Sequence, residues 1–436
     1  MLSKFFKLQE HDTTVRRELI GGLVTFLTMS YILVVNPSIL GGTGMDKGAL
    51  FTATALATIV GTLLMAFLAN LPIAQAPGMG LNAFFAYTVV LAMGYSWQFA
   101  LTAVFIEGLA FILLTAFNVR ELIVKSIPQT IKYAIPVGIG FFITFLGLQQ
   151  AGIVVKNDAT IVGLGNLSSP NVWIAIIGLI LTGVLFARKV PGAILIGILA
   201  STACGVLFGQ VHLPGASLIS LPPDIRPVFL QFEWSNIFTI DMLIIVFTLL
   251  FVNLFDTIGT LIGVALKAGL IDKEGNFPQV RRALLSDALA TTFGAILGTS
   301  TLTSYIESAS GVASGGRTGL TAVTVALMFA VALFFAPLFL MIPAAATAPA
   351  LIIVGLFMIA AVAQISFDDI TEALPAFLVI VMMPFTASIA QGIIFGMLSF
   401  VALKALSGKY RQIFAPMYVI SGLLLLKVIL DCFMYG

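Results

Sequence analysis

Read from the N-terminus, the chain is a succession of apolar runs of about 17 to 25 residues, the length that crosses a bilayer core as a helix. Short polar joints separate them. Runs of this kind cover 18–40, 49–70, 97–118, 128–148, 172–187 and 191–209, and after a polar segment at 210–234 they resume at 240–266, 284–297, 318–342, 347–364, 370–386 and 389–406. Two stretches break the pattern. The first is LPIAQAPGMG, where Pro72, Pro77, Gly78 and Gly80 oppose a continuous helix and precede a half-length run at 80–93. The second is GTSTLTSYIESASGVASGGRTG at 298–319, with nine Ser or Thr side chains and Glu307 between flanks that read as membrane helix. Non-helical backbone at membrane depth is tolerated where protein or a water-filled cavity satisfies its polar groups. Each break therefore predicts a short extended strand leading into a half-helix, and a binding site beside them. Counting both, the pattern predicts fourteen spans. A last apolar piece at 414–433 is long enough to cross, but Lys427 and Asp431 stand on it at helical i,i+4 spacing, so it either crosses or lies along the interface.

Composition agrees with this reading. With 60% hydrophobic and 9% charged residues among 436, and a mean hydropathy of +1.12, no water-soluble surface could be assembled. The chain is an all-α polytopic membrane protein. Cys204 and Cys432 show no CxxC spacing and imply neither a disulfide framework nor a metal site. No cofactor is implied, and a net charge of +2 points to no nucleic-acid partner. The N-terminus lacks a signal-peptide layout, so the first span is expected to remain as a membrane anchor.

Charge placement gives an independent test of the span count. With the N-terminus inside, all of the 21 Lys and Arg residues except Lys47, Lys156, Arg226 and Lys427 fall on the cytoplasmic side, the asymmetry of the positive-inside rule. The chain then divides into a cytoplasmic tail (1–17), a first seven-span repeat (18–210), an external connection (211–239), a second seven-span repeat (240–406) and a C-terminal segment (407–436). The halves resemble each other. IPQTIKYAIPVGIGFF from Ile127 answers IPAAATAPALIIVGLF from Ile342, Leu81-Asn82-Ala83 answers Ile306-Glu307-Ser308, and Pro191-Gly192-Ala193-Ile194 answers Gln391-Gly392-Ile393-Ile394. Seven is odd, so the two repeats enter the membrane from opposite sides. Paired interrupted spans at matching places in inverted repeats point to a transporter's midplane site.

Few ionisable groups lie in the spans. His11 is in the tail and His212 in a loop, so carboxylates must carry any proton. Apart from Glu18, Asp241 and Glu372, which stand in the first three residues of their runs, those within spans are Glu107, Asp256, Asp287 and Glu307, with Asp287 near the cytoplasmic end of its run. Intramembrane carboxylates are functional candidates by default. Glu307, where its half-helix begins, and Asp256, mid-span in NLFDTIGTLIG, form the expected acid pair, while Glu107 reads as a polar residue facing protein. Asn82 and the hydroxyls add uncharged hydrogen-bonding groups. That inventory suits a small, flat, polar but neutral ligand.

The strings APGMGLNAFF (76–85), NLFDTIGTLIGV (253–264), YIESASGVASGGRTGLTAV (305–323) and VRRELIGGLVTFLTMSYILVVNPSIL (15–40) resemble the AzgA-like adenine/guanine/hypoxanthine permeases of the nucleobase–ascorbate, or xanthine–uracil permease, group. The resemblance covers nearly the whole chain. It implies fourteen spans in two inverted seven-span repeats, a core and a gate domain, and spans three and ten broken into strand plus half-helix. It further implies purine contacts at Asn82, Asp256 and Glu307, with Tyr305 as a lining residue. Related uracil permeases carry a glutamate in the eighth span and a histidine four residues later. Here those positions are Asp256 and Thr260, which puts histidine-based coupling in doubt and leaves Thr260 as a candidate for a hydrogen bond. The glycines of GVASGGRTG read as sites of close helix packing.

The function expected from the sequence is import of purine nucleobases across a plasma (bacterial inner) membrane by symport with a proton rather than sodium, through alternating access, with Asp256 and Glu307 as the proton-coupling pair. An anion transporter of the sulfate-permease type on the same fold is the nearest alternative, and an integral-membrane enzyme is an alternative of another class. The sequence leaves open which purine is preferred, whether sodium replaces the proton, and whether the protein forms a homodimer.

Overall fold

The computed structural model describes residues 2–117, 128–211, 218–270 and 277–435. His212, Arg120, Lys125 and Lys273 lie outside the described residues, as do the side chains of Lys427, Asp431 and Cys432. The first half contains α1 (Val15–Met29), α2 (Ile32–Gly41), α3 (Lys47–Leu64), β1 (Gln75–Pro77), α4 (Met79–Ala83), α5 (Trp97–Ala116), α6 (Gln129–Gln150), β2 (Val154–Asn157), β3 (Ile161–Leu164), α7 (Pro170–Ala187) and α8 (Ala193–Leu207). The second contains α9 (Ile240–Ala268), α10 (Val280–Leu297), β4 (Leu302–Ser304), α11 (Ser308–Ala313), α12 (Gly319–Ala332), α13 (Ala344–Ile359), α14 (Ile370–Thr386), α15 (Ile389–Leu406) and α16 (Ala415–Tyr435). Among the described residues, nine helical segments are long and apolar enough to cross a membrane, and three shorter apolar ones stand between them. With α10 and the β4–α11 segment they make up the fourteen spans.

Polar residues at the joints start these helices. Asp46 accepts from Ala49 N at 2.7 Å, Ser96 from Phe99 N at 3.0 Å and Asp369 from Thr371 N at 2.9 Å, each satisfying a donor that the first helical turn leaves open. Lipid offers no such partner, so capping at the ends of spans carries more weight than it does in water.

The structure corrects the sequence reading in several places. The run at 18–40 is two helices, α1 and α2, with the break at Ser30 and Tyr31. The run at 284–297 begins at Val280, so Asp287 lies two turns inside α10, fully buried, and not near a helix end. The joint after α6 folds into the exposed hairpin β2–β3, whose pairing of Val154 with Leu164 no span-length pattern could reveal. The half-length run continues past α4 as a π-helix to Ala92. The piece at 414–433 is a single helix, α16, packed on α15.

The two predicted breaks meet. β1 and β4 pair antiparallel, Gln75 opposite Ser304, Ala76 opposite Thr303 and Pro77 opposite Leu302. Gly78 N to Thr301 O (3.0 Å) and Tyr305 N to Ala74 O (2.9 Å) extend the ladder by one bond at each end. A strand from each half thus lends the other backbone partners at that depth, which is how extended backbone survives inside the membrane. Superposing strand on strand shifts the pairing read in the sequence by two residues. Asn82 consequently lies in the first full turn of α4, whereas Glu307 caps α11 from outside.

The helices gather in two groups. α1–α5 pack with α9–α12, and α6–α8 pack with α13–α15. In the second group α6 and α13, the helices whose Ile-Pro motifs answer each other, cross so closely that a Cβ on Gly140 would meet the Gly355 carbonyl oxygen and one on Gly355 the Gly140 oxygen. Small residues permit this approach where lipid supplies no hydrophobic drive for association.

Candidate functional site

The two half-helices begin just beyond the strand pair, one past the end of β1 and the other past the end of β4. Glu307 occupies the N-cap position of α11, where the helix dipole favours a negative charge. Its Oε1 accepts a hydrogen bond of 2.7 Å from the hydroxyl of Tyr31, which the break between α1 and α2 turns inward. Asp256 comes from the middle of α9, and the Thr303 side chain of β4 hydrogen-bonds it.

These groups face a cavity of about 70 Å³. Asp256, Thr260, Thr303, Ser304, Tyr305, Glu307 and Tyr31 line it together with Met79, Gly80 and Ile306 from the first helix group, and Val354 and Met358 from α13 close it from the second. The cavity therefore lies between the two groups. Asp256 and Glu307 are half-buried, as residues on its wall must be, while Tyr31 and Tyr305 are almost wholly enclosed. Among the described lining residues none is a cation, and no group of three or more His, Cys, Asp or Glu residues among the described ones could hold a metal ion.

Of the residues singled out in the sequence, the structure brings Asp256, Thr260, Tyr305 and Glu307 to this one wall. Tyr305 contributes its ring rather than its hydroxyl, which donates to Pro77 O at 2.6 Å and so ties β4 to β1. Asn82 stands apart from the lining. Its carboxamide is buried behind the strand pair, the oxygen accepting from Ser300 and the Nδ2 having no protein partner among the described residues. Tyr31, Thr303 and Ser304 did not emerge as candidates from the sequence. A polar Ser30-Tyr31 pair in the middle of an apolar run was the signal for the first. The other two were hidden among the nine hydroxyls of the 298–319 stretch.

The remaining intramembrane carboxylates do not reach the cavity. Glu107 and Asp287 are fully buried in hydrogen bonds behind it. A further buried carboxylate, Glu18, accepts from Arg317 N, Thr318 N and Thr321 N at 3.0 to 3.2 Å and from the Thr321 hydroxyl at 2.6 Å. It caps α12 and fixes the turn that follows α11. Arg317 meanwhile donates through Nη1 to Val312 O (2.5 Å) and Gly316 O (2.7 Å), closing the C-terminal end of that half-helix.

Known proteins share both sequence and fold. The chain is 47% identical over 429 residues to the adenine permease AdeQ of Escherichia coli (strain K12), covering 98% of this chain and 96% of that one. It is 46% identical over 426 residues to the guanine/hypoxanthine permease PbuO of Bacillus subtilis (strain 168), covering 96% and 98%. Among solved structures, the transmembrane domain of the cyanobacterial bicarbonate transporter BicA superposes with a TM-score of 0.65 at 18% identity, over 86% of this chain and 97% of that domain. SLC26A9 superposes at 0.63 and 12% identity, over 91% of this chain and 65% of that one. At these identities the likeness shows the fold, an inverted-repeat transporter architecture. A family model, Xan_ur_permease, described as Permease family, matches residues 16–395. By that match and by its full-length relatives, the chain belongs to the Permease (Xan_ur_permease) family and is a multi-pass membrane transporter, not an enzyme.

Proposed function

We propose that the protein imports purine nucleobases by proton symport, with Glu307 and Asp256 as the groups that meet base and proton. The observation that carries this reading is the wall itself: two carboxylates and a row of hydroxyls with no cation among the described lining residues, opposed by the apolar Val354 and Met358. A purine is a flat ring with N–H groups on its edge. Carboxylate oxygens accept those N–H groups, and the apolar side chains cover the ring face. The purine permeases among its relatives support the same substrate class.

The position of the cavity supports alternating access. Its polar wall belongs to the group of α1–α5 and α9–α12 and its apolar wall to α13, so rocking the first group as a core against the second as a gate opens the site to one side or the other. The distribution of basic residues supports a cytoplasmic N-terminus, and a plasma membrane is the setting of the proposed import. Anion transport, suggested by the fold shared with BicA, is disfavoured because two carboxylates would repel an anion with no arginine or lysine among the described lining residues to offset them.

Uptake of labelled adenine into cells lacking their own permeases, competed by hypoxanthine, guanine, xanthine, uracil and bicarbonate, tests the proposal. Competition by at least one purine and none by bicarbonate is expected. Uptake indifferent to every purine would remove the substrate class.

A further inference from the structure

Behind the cavity lies a polar network that the transport site does not use. Glu107 on α5 accepts from Asn253 Nδ2 at 3.1 Å and, through its other oxygen, from the Thr301 hydroxyl at 2.5 Å. Thr257 is placed with its hydroxyl 3.0 Å from Asn253 Oδ1 and 2.9 Å from Asp287 Oδ1, and the same Asp287 oxygen accepts from Gln75 Nε2 at 3.3 Å. All six residues are completely buried. The network crosses between the halves: Glu107 of the first half holds Thr301, the residue entering β4, and Asp287 of the second half holds Gln75, the first residue of β1.

Asn253 and Thr257 stand on the helix that carries Asp256. At 3.6 residues per turn, Asp256, Thr260, Asn253 and Thr257 fall within an arc of about 100° on α9, with the Asp256–Thr260 edge toward the cavity and the Asn253–Thr257 edge toward the buried network. A rotation of α9 that brought Asp256 out of the cavity would break the hydrogen bonds of Asn253 and Thr257. We propose that this network is a positioning device for the substrate site: through Thr257 and Asn253, Glu107 and Asp287 set the rotation of α9 and its spacing from the strand pair, so that Asp256 meets Thr303 at the cavity wall. Buried hydrogen bonds of this kind are costly to leave half-made, so the network admits few arrangements. Thr257 touches no substrate. It acts on binding through Asp256.

This inference rests on the reading of the cavity as the purine site, and a double-mutant cycle separates the two. Thr257→Val keeps the shape and removes the hydroxyl, and Thr257→Ser restores it. Equilibrium binding of adenine, guanine and hypoxanthine to purified, monodisperse protein is measured for wild type, for both Thr257 variants, for Asp256→Asn and for the Thr257→Val, Asp256→Asn double variant. Thr257→Val is expected to weaken binding of the preferred base about tenfold, Thr257→Ser to recover most of it, and the double variant to bind within about twofold of Asp256→Asn alone. Losses that multiply in the double variant, or a Thr257→Val protein that binds as wild type while Asp256→Asn does not, would overturn the positioning role and leave the site standing. Asp256→Asn binding as wild type would overturn the positioning role, and the purine site falls with it only if Glu307→Gln also binds as wild type.

Discussion

The hydroxyl of Tyr31 donates to Glu307 Oε1 at 2.7 Å, joining residues 276 positions apart across the mouth of the candidate site. One carboxylate oxygen is thereby held beside the cavity that Glu307 lines. Tyr31→Phe keeps the ring and removes that bond, which as a charge-assisted contact is worth about 1.5 kcal/mol. Purine affinity of the purified protein is expected to fall about tenfold. An unchanged dissociation constant would show that Glu307 is oriented without Tyr31.

Glu307→Gln tests the carboxylate directly. The amide keeps the shape and half of the acceptor capacity but gives up the charge, so affinity should fall by roughly ten- to a hundredfold, about 1.5 to 3 kcal/mol. Isothermal titration of wild-type and variant proteins would measure it. Equal affinities would remove Glu307 from the site.

Asp256→Asn separates coupling from binding. If Asp256 carries the proton, the variant should lose pH-driven accumulation of base more than it loses equilibrium exchange in proteoliposomes. Equal loss of both would assign Asp256 to binding alone.

The half-helix α11 sits against α1 with no room to spare. A Cβ on Gly311 would meet Thr25 Oγ1 and the Gly21 carbonyl oxygen, and backbone cannot step aside as a flexible side chain does. Gly311→Ala is expected to cost about 1 to 3 kcal/mol, the range for overpacking, and to lower the unfolding midpoint of the purified protein. A midpoint equal to wild type would mean that α1 and α11 can separate freely.

The orientation is open to chemical labelling. Lys156 and Arg226 have side chains 86% and 90% exposed, so cysteines placed there should react with an impermeant reagent in intact cells. A cysteine at the exposed Arg188 should react only after permeabilisation. The reverse pattern would invert the topology.

Much of this molecule is local in origin. Span length follows from bilayer thickness, so apolar runs mark the crossings. Pro72, Pro77 and Gly78 forbid a helix where β1 forms, and the hydroxyl-rich stretch before Glu307 marks β4 and α11 in the same way. The rarity of charge in the spans singles out Asp256 and Glu307. Tertiary structure alone decided which carboxylate faces which space. Asp256 and Glu307 reach the cavity, Glu107 and Asp287 close a network behind it, and Glu18 caps α12, although all five lie within or beside apolar runs. A soluble helix announces its buried face by alternation of polar and apolar residues, but a helix bounded by lipid on one side and protein on the other is apolar all round. Its rotation is set by contacts with distant segments. For the same reason Tyr31 becomes the partner of Glu307 only when α1, α2 and α11 have packed.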